Sequence, residues 1–85
     1  MNYQEIIKEM ERKIYEQIEK NRKREDLEFF LSRNIIETII KNNDLNVIKI
    51  FPATYAGIKI NEKVIIENNK IWLLWNGGQN ARKGN

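Results

Sequence analysis

From Tyr3 to Arg24 the apolar residues return with helical spacing. Tyr3, Ile7, Met10, Ile14 and Ile18 step by four, three, four and four, and Ile6 widens the stripe. The opposite face is Glu, Lys, Arg and Gln, with no Gly or Pro to interrupt it. The pattern predicts a helix over 3–24 whose apolar stripe is narrow enough to resemble a coiled-coil seam.

Between Glu19 and Asp26 no apolar residue occurs, and the stripe resumes afterwards in another phase. A single helix over 3–42 would be about 60 Å long, too long for a domain of this size. A helical hairpin turning near 20–26 fits better, with Asp26 as N-cap of a second helix. That helix is expected from Leu27 to Asn42, stopped by Asn42, Asn43 and Asp44. Leu27, Phe29, Phe30, Leu31, Ile35, Ile36, Ile39 and Ile40 project round most of its circumference, so it should be sandwiched between other elements.

The pattern then changes to extended structure. Leu45–Phe51 reads as a strand ended by Pro52, PATYAG as a loop, and GIKI as a further strand. VIIENNKIWLLW reads as a hairpin about Asn68–Asn69, because two-residue turns want positive φ and Asn tolerates it. That register puts Ile66 opposite Ile71 and Val64 opposite Leu73 on the core face. The other face pairs Ile65 with Trp72, Lys63 with Leu74 and Glu67 with Lys70. The resulting fold is α+β: an N-terminal helical hairpin packed on a small three- to four-stranded, mainly antiparallel sheet. Residues 1–75 form one domain, and the polar, glycine-rich 76–85 reads as a flexible C-terminal tail.

At 85 residues only one small core is available, and such domains often need a staple or a partner. Neither Cys nor His is present, which removes disulfides, thiolate zinc sites and the usual general base. The few hydroxyls, Ser32, Thr38 and Thr54, have no activating base, and phosphate-loop glycine motifs are absent. An enzyme is not expected, and neither is a cofactor or metal. Oligomerisation is the remaining route to extra stability, and the apolar circumference of helix two with the seam of helix one suggests a homodimer.

The longest apolar run, Ile71–Trp75, is far too short to span a bilayer, and MNYQEIIKEM does not read as a secretory signal. A cytoplasmic location is therefore expected. Fifteen Ile, twelve Asn and ten Lys, all with AT-rich codons, point to an AT-rich genome such as a low-GC bacterium or a mobile element.

The net charge of +3 is unevenly distributed. Residues 1–26 are neutral overall, and the surplus lies after residue 45. KNRKRED, residues 20–26, looks like a phosphate clamp, yet each base has an acid four positions away. Glu16, Glu19, Asp26 and Glu28 can match Lys20, Lys23, Arg22 and Arg24. A solvated turn is the simpler reading. The better candidate for function is the mixed sheet face, where Ile65, Trp72 and Leu74 lie near Lys63, with Tyr55 in the adjoining loop. An exposed aromatic with a charged rim is how protein partner surfaces look. This favours a small protein-interaction module: a regulator, adaptor or inhibitor. The alternative is a nucleic-acid-binding module using Lys49, Lys59, Lys63, Lys70, Arg82 and Lys83 on phosphates.

Overall fold

The computed structural model describes residues 1–42 and 53–77. Helix α1 runs over Tyr3–Glu19 and opens on a capping box. The Asn2 side chain accepts from the Glu5 backbone N–H at 2.8 Å, and the Asn2 N–H donates to Glu5 Oε1 at 3.0 Å. The helix stops where the apolar stripe stops. Lys20 N–H donates to the Gln17 carbonyl and Asn21 N–H to that of Ile18, and Asn21 turns the chain with φ of 61°.

After a single 3₁₀ turn over Arg24–Asp26 the chain enters strand β1, Leu27–Leu31. This corrects the expected helix from Leu27 and the expected cap at Asp26. Leu27, Phe29 and Leu31 are buried while Glu28 and Phe30 are half-buried, which is the period of a strand. Helix α2 is shorter, Arg33–Lys41, with Ser32 at its N-cap position and Asn42 at its C-cap. The apparent all-round apolarity of 27–42 is the sum of a strand and a helix read with one period.

Strand β2, Ala53–Tyr55, and strand β3, Ile58–Ile60, form a tight hairpin where PATYAG had read as a loop. Its turn residues Ala56 and Gly57 both have positive φ, 52° and 82°, which matches the right-handed twist of the flanking strands. Strand β4 is Ile71–Trp75. The sheet order is β2-β3-β1-β4, with β1 parallel to β3 and antiparallel to β4.

The hairpin expected about Asn68–Asn69 does not form, although Asn69 does adopt positive φ. Strand β4 pairs with β1, forty or more residues earlier in the chain, through an uninterrupted five-residue register from Leu27↔Trp75 to Leu31↔Ile71. Residues 61–70 instead make a connection held at points along β1. Asn61 and Ile65 donate backbone bonds to Phe29 and Leu31, and the Ser32 hydroxyl accepts from Lys70 N–H at 2.8 Å. Ile66, expected on the core face opposite Ile71, is 97% exposed.

Both helices pack on the same face of the sheet. Ile6, Met10 and Ile14 from α1 and Ile35 and Ile39 from α2 meet Phe29, Leu31, Ile58, Ile60 and Ile71 in one cluster. The fold is thus α+β with a four-stranded, mainly antiparallel sheet, but β1 intervenes between the two helices, so the hairpin holds only roughly. Among the described residues no helix is long and apolar enough to cross a membrane. The strand expected over 45–51 and all but the first two residues of the expected tail lie outside the described residues.

Candidate functional site

Strand parity determines what the second face of the sheet displays. Odd-numbered residues of β1 and β4 turn inward, so Glu28, Phe30, Trp72 and Leu74 turn outward. The β1–β4 register sets Phe30 directly opposite Trp72 and Glu28 opposite Leu74. Trp72 is 50% and Leu74 45% exposed, and Phe30 is half-buried beside them. Among the described residues no helix or strand covers this face, since both helices belong to the core cluster on the other.

The patch has a polar border. Glu28 lies between Leu74 on one side and Lys59 on the other. Its carboxylate accepts from Asn61 Nδ2 at 2.5 Å and lies 3.8 Å from Lys59 Nζ. A half-buried acid is thereby neutralised within the sheet, leaving the aromatic and aliphatic groups as the dominant feature of the face.

Of the residues singled out in the sequence, Trp72 and Leu74 sit together on this face. Their expected cross-strand neighbours Ile65 and Lys63 do not. Ile65 is half-buried at the end of β1, bridged to Ser32, and Lys63 is exposed in the connection with its N–H on Asn61 Oδ1. Tyr55 is a core residue. Its ring packs edge-on against Phe29 at 6.5 Å and its hydroxyl reaches Glu11 Oε1 at 3.5 Å. Phe30 and Glu28 take the places expected for Ile65 and Lys63. They were hidden because 27–31 read as helix, although the alternation in LEFFL carried the signal.

The basic residues of the nucleic-acid reading are spread out. Lys59 pairs with Glu28 on the outer face, while Lys63 and Lys70 are exposed at separate places in the 61–70 connection. Lys49, Arg82 and Lys83 lie outside the described residues.

The arginines of the KNRKRED turn make contacts within the fold. Ion pairs join Arg12 to Glu9 and Glu16, Lys13 to Glu9, and Lys59 to Glu28. Glu16 therefore serves Arg12 and not Lys20. Arg22 lies over the Trp75 ring, 4.2 Å from its centroid, and donates to Gln17 Oε1 at 2.8 Å. Arg24 donates to the Ala56 carbonyl at 3.0 Å. The two arginines tie the end of α1 to the last strand and to the β2–β3 turn. The turn is structural, as expected, but by contacts within the fold.

No family model, characterised protein or solved structure matches the chain.

Proposed function

We propose that the chain is a small non-enzymatic protein-interaction module, acting in the cytoplasm as a regulator, adaptor or inhibitor. It binds a protein partner through the outer sheet face. One observation carries the reading: Trp72, Leu74 and Phe30 adjoin on a face that no described element covers, with the Glu28–Lys59–Asn61 group as a polar border. An aromatic side chain carried on a strand loses little conformational freedom on binding and contributes a large apolar area. The same reading takes the chain to be a homodimer.

The test is a comparison of captured proteins from the native host, using the wild type and the double variant Trp72→Glu/Leu74→Glu. Both substituted side chains lie outside the core cluster and are about half exposed, so the variant is expected to retain the wild-type circular dichroism spectrum. A partner captured by the wild type and lost by the folded variant is the expected result. Identical captures from both proteins would defeat the reading. A nucleic acid as the retained species, with affinity falling steeply as salt rises, would replace the protein partner with a phosphate backbone.

A further inference from the structure

Among the described residues strand β4 lies at an edge of the sheet, with an unusual sequence for that position. Edges are normally blunted by a charge, a proline or a bulge, and IWLLW has none of these. Its hydrogen-bonding directions follow from the ladder. Ser32 N–H donates to the Lys70 carbonyl and Asn76 N–H to the Asp26 carbonyl, so the alternate residues Trp72 and Leu74 bond to β1. The backbone groups of Ile71, Leu73 and Trp75 then point away from the sheet, and no strand among the described residues takes them up.

We infer that this edge pairs with the same edge of a second copy, antiparallel about a two-fold axis through Leu73, joining two four-stranded sheets into one. This inference rests on the homodimer reading above and names its interface. Three observations select a second copy as the occupant. The first is self-complementarity, since a dyad at Leu73 sets Ile71 opposite Trp75 and Trp72 opposite Leu74, and every cross-strand pair is apolar. The second is hydrogen bonding. The outward-pointing residues 71, 73 and 75 face 75, 73 and 71 of the other copy, so each outward N–H meets a carbonyl.

The third is charge. The Met1 amino group donates to Asn69 Oδ1 at 3.3 Å near the start of β4, and Arg22 lies on Trp75 at its end. Helix α1 therefore runs along β4 in the same direction, and a groove between them is lined by Glu9, Lys13, Ile71 and Trp72. The dyad brings two such helices side by side and antiparallel. Each then presents Glu9 and Lys13 in reversed order, so acid can face base across the axis and no patch of one sign is forced together.

A consequence is a wider binding face. Across the junction the outer surface would read Phe30, Trp72, then Leu74 of the second copy. The two apolar patches become one continuous stripe.

The chain has no native cysteine, so single cysteines report the geometry directly. The experiment combines sedimentation equilibrium of the wild type with mild oxidation of Leu73→Cys alone, Trp72→Cys alone, and an equal mixture of Trp72→Cys and Leu74→Cys. Edge pairing predicts a dimer, a self-disulfide for Leu73→Cys, and a disulfide between the Trp72→Cys and Leu74→Cys chains well above that of either alone. Positions 72 and 74 are on the outer face, so the mixed reaction stands even if the half-buried Leu73→Cys perturbs folding. A dimer in which Trp72→Cys cross-links to itself, with no 72–74 product, is joined face to face. That outcome overturns the edge pairing and leaves the homodimer. A monomer at every concentration overturns both.

Discussion

The guanidinium of Arg22 lies 4.2 Å from the centroid of the Trp75 ring, joining the turn after α1 to the last residue of β4. Gly77 also lies close against that indole, where a Cβ would run into the ring. Trp75 is thus contacted by the Arg22 cation and by the bare backbone at Gly77. Arg22→Ala is expected to destabilise the fold by about 0.5–1 kcal/mol, the range for a partly exposed cation–π pair. Urea unfolding followed by tryptophan fluorescence would measure it, with Lys20→Ala as the control at an exposed neighbouring base. Equal midpoints for the two variants would remove the pair from the account.

Ser32 is completely buried at the junction of β1 and α2. Its side chain does not cap the helix. It accepts from Lys70 N–H and donates to the Glu67 carbonyl, fastening the 61–70 connection beside the start of β4. Ser32→Ala should cost about 1–3 kcal/mol, because it leaves a part-buried backbone N–H without its partner. Amide exchange is the discriminating measurement: Lys70 should lose protection before the centre of β1 does. Unchanged protection at Lys70 would show that the hydroxyl does not hold the connection.

The β2–β3 turn places an alanine where φ is 52°. An L-residue with a Cβ is strained in that region, while Asn and Gly accept it. Ala56→Asn is therefore expected to raise stability by roughly 0.5–1 kcal/mol, part of the left-handed penalty. Gly57→Ala should lower it by roughly 1–2 kcal/mol. A Cβ there would meet nothing within 4 Å, so the loss would be purely conformational. Thermal midpoints moving in opposite directions are the expected result.

Glu9 titrates below its ordinary value of 4.5, chiefly through the hydrogen bond from Arg12, with Lys13 adding a smaller attraction. A carboxyl whose folded pKa is depressed contributes stability that is complete above the unfolded pKa and lost as pH falls through the folded one. The contribution is small, since both partners are substantially exposed. Glu9→Gln should thus be slightly less stable than wild type at pH 7, with the gap closing below pH 4.5. A gap that stays constant to low pH would mean that the loss is one of packing and not of charge.

Several elements were legible from local pattern alone. The stripe Ile6, Met10 and Ile14 faces the core as its spacing requires, and the chain turns where apolar residues cease after Ile18. The run Ile71–Trp75 is legible as a strand, but it is apolar throughout, so the exposure of Trp72 and Leu74 is not written in its own pattern. These depend on one segment meeting one interface, and a segment's period encodes that much.

Strand partnership was not legible. VIIE and IWLLW are separated by a turn that accepts positive φ, and local chemistry favours closing them into a hairpin. The folded chain instead sets IWLLW against LEFFL, a five-residue strand whose two faces suit the core and the outer surface at once. That choice converts 27–31 from helix to strand, brings Phe30 beside Trp72, and expels Ile66 into solvent. The periodicity of each segment constrains which of its faces is buried. Which strands adjoin is a comparison of long-range pairings over the whole chain, and only the tertiary structure decides it.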